Sequence, residues 1–128
     1  KAFVSVRDAD KDKLVPLAKQ LSALNFELVA THGTCQLLRQ AGVFCESVNK
    51  VIEGRPHIVD RIKSREIDFI INTTEGAQAI ADSASIRTEA LKQGVHYSTT
   101  LAGAAATIAA FEYVKNPEIY ALSELHEA

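Results

Sequence analysis

Residues 26–34, Phe26-Glu27-Leu28-Val29-Ala30-Thr31-His32-Gly33-Thr34, run from an apolar stretch into a turn that carries hydroxyls, an imidazole and a glycine. The apolar part, 26–30, predicts a buried strand. Residues 34–41, stopped by Gly42, predict a short helix. A strand that hands directly to a helix is the repeating step of a parallel sheet covered on both faces.

The same step recurs outward in both directions. Upstream, residues 2–6 read as a strand. A helix capped by Asp10 or Asp12 then runs to about residue 24, with Leu14, Leu17, Ala18 and Leu21 on one face. Pro16 is expected near its first turn, where a missing donor costs least. Downstream, residues 43–48 predict a third strand, and a polar loop, 49–56, carries Gly54 and Pro56. A helix over 57–63 places Ile58 and Ile62 one turn apart. Residues 67–71 predict the fourth strand. Helix follows over 78–93 with a break near Ser83, then a short strand over 95–97. An alanine-rich helix over 101–113 has Ala104, Ala105 and Ile108 on one face. The tail after Pro117 has no clear pattern.

The predicted fold is therefore α/β, a Rossmann-like three-layer sandwich around a five-stranded parallel sheet. Its 128 residues make one domain, since a domain averages about 150. With 47% hydrophobic and 23% charged residues the chain is neither disordered nor a disulfide scaffold. The longest apolar run, 101–111, is about half a membrane span, so no transmembrane helix is expected.

Net charge is −2, which argues against a general nucleic-acid binder. The charge is uneven: residues 1–64 hold ten Lys/Arg against seven Asp/Glu, or +3, and residues 65–128 hold four against nine, or −5. A basic first half suits an anionic small ligand, and uneven surface decoration explains it as well. Cys35 and Cys45 read as reduced thiols of a cytoplasmic protein, Cys45 packing in the third strand as a small hydrophobe. The chain has no methionine and starts with Lys1 inside an apolar run, which predicts a piece of a longer protein.

In a parallel sheet, ligands bind beyond the carboxyl ends of the strands. There the sequence places Arg7-Asp8-Ala9-Asp10-Lys11, Thr31-His32-Gly33-Thr34, Asn49-Lys50, Asn72-Thr73-Thr74 and Ser98-Thr99-Thr100. These are hydroxyls, amides and lysines, groups that bind phosphate and ribose oxygens. At Thr31–Thr34 a helix start offers free N–H groups and partial positive charge. Gly33 lets an anion approach the backbone, and Thr34 either caps the helix or turns its hydroxyl to the ligand. A plain helix cap without a ligand explains the same four residues equally well. Lys11 and Lys50, arriving at the same edge, favour the ligand. Asp8 and Asp10 are expected to cap the first helix. His32, His57, His96 and His126 lack metal-ligand spacing. His57 reads as a surface or capping residue, His96 as a satisfied core residue, and Arg55 and Arg61 as a solvated face. No nucleophile has an evident base beside it.

Thr31-His32-Gly33-Thr34, Asn49-Lys50-Val51-Ile52-Glu53-Gly54-Arg55-Pro56-His57-Ile58, Asp60-Arg61-Ile62-Lys63, Ile71-Asn72-Thr73-Thr74, Ile86-Arg87 and His96-Tyr97-Ser98-Thr99-Thr100 together resemble the methylglyoxal-synthase-like domain. Within that superfamily they are most similar to the C-terminal allosteric domains of bacterial carbamoyl phosphate synthetase large subunits. The resemblance covers residues 3–111 and makes 1–128 one such domain. It implies a regulatory, non-catalytic domain without a cofactor or metal of its own. The parent chain would be an ATP-dependent, glutamine-hydrolysing ligase of pyrimidine and arginine biosynthesis, partnered by a small glutaminase subunit. It implies uridine monophosphate as inhibitor and, in some members, inosine monophosphate as activator.

Carried over by motif, Lys11, Thr31, Thr34 and Lys50 would hold phosphate. Asn72 and Thr74 would hold the ribose–phosphate side, Asp82 and Ser83 would lie near sugar or base, and Tyr97 and Thr99 would help bind ornithine at the domain boundary. Members that take the purine nucleotide often carry histidine where this chain has Ile52. Methylglyoxal synthases, lyases of dihydroxyacetone phosphate, share the fold and cradle. Their Gly-Gly-Asp-Gln segment is absent here, Arg7 replaces their histidine, and Glu53 is the one carboxylate in roughly the right loop.

Overall fold

The computed structural model describes residues 1–50, 53–74 and 77–115. Five strands form one parallel sheet: β1 (Ala2–Ser5), β2 (Leu28–Thr31), β3 (Glu46–Val48), β4 (Phe69–Asn72) and β5 (His96–Ser98), in the order β3-β2-β1-β4-β5. Among the described residues five helices connect and follow them: α1 (Lys11–Ala23), α2 (His32–Gln40), α3 (Ile58–Lys63), α4 (Ala77–Gln93) and α5 (Leu101–Lys115). A 3-10 turn at Asp8–Asp10 leads into α1.

Side-chain alternation along the strands sends residues to two separate cores. Ala2, Val4, Leu28, Ala30, Phe69 and Ile71 pack under α1, α2 and α5 through Leu14, Leu21, Leu38 and Ile108. Phe3, Val29 and Ile70 pack under α3 and α4 through Ile58, Ile62, Ile86 and Ala90. Because both faces are covered, β2 and β4 are buried at every position, the continuous apolar reading that marks an interior parallel strand. Phe111 ties α5 to the sheet, stacking on Phe26 and meeting Phe69 edge-on, each at 5.5 Å between centroids.

The predicted architecture holds, and the differences from expectation are local. Helix α4 runs unbroken through Ser83: Ala81 and Ala84 favour helix, and Ser83 costs too little to break it. Helix α2 begins at His32, two residues early, with Thr31 rather than Thr34 in the capping position. It stops as expected: Gly42 takes φ +83 and Val43 N–H closes on Leu38 O at 2.8 Å. Pro16 is the sixth residue of α1, not in its first turn; its side is exposed and the helix continues past it. Cys45 lies just before β3 rather than in it, though fully buried as expected. Burial and then the neighbouring Cys35 push its thiol up to about 12. Ile52, the tail after Pro117 with His126, and the side chain of Asp82 lie outside the described residues.

Candidate functional site

The chain goes from β1 to α1 on one face of the sheet, and from β4 to α4 on the other. β1 and β4 are neighbours, so their connections part in opposite directions and open a crevice at their carboxyl ends. That crevice is a cleft of about 460 Å³. Register fixes its floor. Ser5 pairs with Asn72, and Thr31 Oγ1 donates to Ser5 Oγ at 3.2 Å, so three neighbouring strands end level.

One wall is the start of α2. Its capping residue Thr31 makes no side-chain bond to the helix backbone, so the first-turn amides keep their hydrogens for a ligand. Thr34 is the third helical residue. It is buried, and its Oγ1 accepts weakly from Val6 N–H at 3.5 Å. Gly33 stands against the Lys11 ammonium: a Cβ there would lie 3.5 Å from Nζ. Lys11 Nζ in turn meets Asp8 Oδ1 at 2.7 Å. The hydrogen bond and charge of Lys11 hold Asp8 below the usual carboxylate range, and Lys50 adds to the effect. The lysine of α1 and the lysine after β3 therefore converge on one rim.

The loop that delivers Lys50 is braced from within. His32 Nε2 is hydrogen-bonded with Asn49 Oδ1 at 3.0 Å, and Asn49 Nδ2 donates to Gly54 O at 3.3 Å. Lys50 N–H donates to Glu53 Oε1 at 2.7 Å. Glu53 is thus engaged in its own loop and does not line the cleft. The opposite wall mixes Asn72, Thr73, Thr74 and Ser83 with the apolar Ile58, Ile86 and Phe3. Thr73 Oγ1 accepts Arg7 N–H at 3.0 Å, pinning the end of β1 to the end of β4.

Of the residues singled out by motif, Lys11, Thr31, Thr34, Lys50, Asn72, Thr74 and Ser83 line this one cleft. Tyr97 and Thr99 do not. Thr99 is exposed beyond β5. Tyr97 is half-buried; its hydroxyl accepts from Asn72 Nδ2 at 2.8 Å and the Arg87 guanidinium lies 5.8 Å from its ring centroid. Ser5, Ile58 and Ile86 were missed as lining residues. The apolar pair falls within stretches that carry the family resemblance but gives no sign of lining a site, and Ser5 needs the register.

Several expectations are corrected. Neither Asp8 nor Asp10 caps α1 by its side chain: Asp8 pairs with Lys11 and Asp10 with Arg7 Nε at 2.8 Å. His96 is exposed, its Nε2 3.0 Å from Thr107 Oγ1, rather than a core residue. Arg61 is not solvated. Its guanidinium grips both oxygens of Glu46, at 3.2 and 3.1 Å, and Glu66 at 3.1 Å. Arg55 is exposed and pairs with Asp60 at 3.2 Å. His57 does start α3: its N–H donates to Asp60 Oδ2 at 3.0 Å, and the residue is buried. Among the described residues no three His, Cys, Asp or Glu gather as for a metal ion, and no helix is long and apolar enough to cross a membrane.

Comparison with known proteins bears on the family and the fold. Large chains of carbamoyl phosphate synthase match almost the whole chain. The one from Xanthomonas axonopodis pv. citri (strain 306) is 56% identical over 127 residues, 99% of this chain. That from Halomonas eurihalina is 52% identical over 126 residues, and that from Pseudomonas putida 48% over 125 residues, each 98% of this chain. The chain spans 12% of the length of each of these relatives. A crystal structure of methylglyoxal synthase from Elizabethkingia anophelis NUHP1 superposes with a TM-score of 0.67 at 22% identity, covering 84% of this chain and 75% of that one, a likeness of fold. A family model of the MGS-like domain matches residues 13–99, from the first turns of α1 to the end of β5, and the chain therefore belongs to the MGS-like domain family.

Proposed function

We propose that this chain is the regulatory, effector-binding domain of a carbamoyl phosphate synthase large chain, an ATP-dependent cytoplasmic ligase served by a small glutaminase subunit. Its cleft takes a nucleoside monophosphate, uridine monophosphate as inhibitor in first place and inosine monophosphate as activator in second, because Ile52 stands where purine-binding members often carry histidine. The observation that carries this reading is the convergence of Lys11, Lys50 and the uncapped start of α2 on one rim. Two ammonium groups and first-turn amides make a phosphate seat. The hydroxyls and amide of Thr74, Ser83 and Asn72 suit a ribose, and Ile58 with Ile86 offers an apolar wall to a base. Ornithine is proposed at the boundary, through Tyr97 and Thr99.

Regulation would follow from how the liganded domain packs against the rest of the enzyme. Such coupling is typically about 1–3 kcal/mol and is reciprocal, so ATP and ornithine would shift nucleotide affinity by the factor by which the nucleotide shifts theirs. A lyase acting on dihydroxyacetone phosphate is less well supported. Asp8 is the carboxylate lining the cleft among the described residues, and its Oδ1 is engaged by Lys11 Nζ at 2.7 Å. Glu53 is spent on Lys50 N–H.

Calorimetric titration of the chain with uridine monophosphate, inosine monophosphate and dihydroxyacetone phosphate tests the proposal, with methylglyoxal assayed in the last. Saturable one-to-one binding of a nucleotide without turnover is expected. Methylglyoxal formation, or nucleotide affinity in the full enzyme that ignores both ATP and ornithine, would overturn it.

A further inference from the structure

Asn72 closes the cleft at the end of β4, with 5% of its surface exposed. Its side-chain amide carries two hydrogens and both are used. Nδ2 donates to Ser83 Oγ at 3.0 Å and to Tyr97 Oη at 2.8 Å. What Asn72 can still offer a ligand is its carbonyl oxygen, Oδ1, an acceptor only. An acceptor repels a phosphate oxygen and seeks a hydroxyl or N–H hydrogen. Tyr97 reaches this amide from β5, outside the cleft, and is itself held by the Arg87 guanidinium over its ring. The phosphate-seeking donors stand across the cleft on α1, α2 and the loop of Lys50.

We infer that Tyr97 is a positioning residue that locks Asn72 as a hydrogen-bond acceptor, so that the cleft selects phosphate esters carrying a hydroxyl donor, such as a ribose, over phosphate itself. The inference rests on the phosphate-ester reading above and deepens it. Phosphate seat and donor sensor are separate parts of the site, set on opposite walls. Discrimination between a sugar phosphate and inorganic phosphate then depends on a tyrosine that need not touch the ligand.

The test is calorimetry of the chain and of its Tyr97→Phe and Ser83→Ala variants with uridine monophosphate, ribose 5-phosphate and inorganic phosphate. Amide NMR of the Asn72 side chain runs alongside and also reports whether each variant is folded. Tyr97→Phe is expected to weaken both sugar phosphates by about tenfold, the worth of one well-placed hydrogen bond. It should leave inorganic phosphate within about twofold and shift one of the two Asn72 amide protons. Ser83→Ala should do the same to the other proton, with a smaller loss. Equal weakening of all three ligands would mean that Asn72 offers its NH₂ to the phosphate, or that Tyr97 merely supports the fold, and would overturn the inference. So would unchanged sugar-phosphate affinity in both variants. If the unsubstituted chain bound none of the three, the phosphate-ester reading itself would fall and this inference with it.

Discussion

Lys11→Met is the sharpest probe of the proposed phosphate seat. Lys11 Nζ stands at the mouth of α2, within 3.5 Å of where a Gly33 Cβ would be. An anion seated on the first-turn amides of α2 would meet it. A hydrogen bond to a charged group contributes about 1.5–3 kcal/mol. Lys11 already has a counter-ion, Asp8 at 2.7 Å, and must exchange part of that contact for the ligand. The loss on substitution therefore falls at the lower end, about 1.5 kcal/mol, or about tenfold in Kd. Methionine keeps the length and apolar packing of the stem, so the fold is preserved.

The assay is calorimetric titration of uridine monophosphate at low salt and again near physiological ionic strength. The Lys11 contribution should shrink only modestly between the two, because its side chain is 29% exposed and partly shielded from counter-ions. Lys13→Met, exposed on the same helix and away from the cleft, serves as the control and should change nothing. Asp8→Asn should tighten binding, since it removes an anion from an anion site. A Kd for Lys11→Met within twofold of the parent value would refute the placement of the phosphate, and weaker binding by Asp8→Asn would refute the competition.

Three further outcomes follow from other parts of the molecule. Glu46 is held below the ordinary carboxylate range chiefly by its hydrogen bond with Arg61. A depressed native value means that the unfolded chain binds more protons in the acid range. This pair's stability is therefore present above the unfolded pKa and lost as pH falls through the native one; urea midpoints should drop below about pH 4.5, and less steeply in Glu46→Gln. Cys35 and Cys45 should ignore a thiol reagent at pH 8 until the chain unfolds, because both are buried and the Cys45 thiol is pushed up to about 12; rapid labelling of the native chain would contradict this. Ile62→Ala empties a fully buried site between α3 and the sheet and should cost about 2–5 kcal/mol in denaturant unfolding, whereas Leu91→Ala, 73% exposed, should cost little.

Strand order was not legible in the sequence, but strand existence was. Runs such as 69–71 are apolar throughout because both faces of a parallel sheet are covered. The strand-end polar residues could also be read, since the rule that ligands sit at carboxyl ends holds whatever the order. What could not be read is which ends are neighbours. Ser5 became a site residue only through its pairing with Asn72, whereas Thr73 could be read as a strand-end group and only its bond to Arg7 N–H needed the structure. Glu53 shows the converse. In sequence it is a carboxylate in a promising loop; in three dimensions it is the brace for Lys50. Single helix starts were misjudged by two residues at Thr34, because Thr31 and Thr34 are equally good caps and only the register of β2 decides between them.

The parting of the connections after β1 and β4 has a consequence for the rate at which a ligand is captured. Strand ends and helix starts form most of the cleft, and both are fixed by the two cores beneath them. The described strand ends and helix starts need little ordering when the site fills, so they add little entropy cost and no slow rearrangement to binding. Capture should then be governed by the field of the two lysines, with an association rate constant that falls only modestly as salt is added, as the partly shielded Lys11 requires. On the proposed regulatory reading, such a site would answer changes in ligand level as fast as the ligand arrives, and any delay in the response would arise outside this domain.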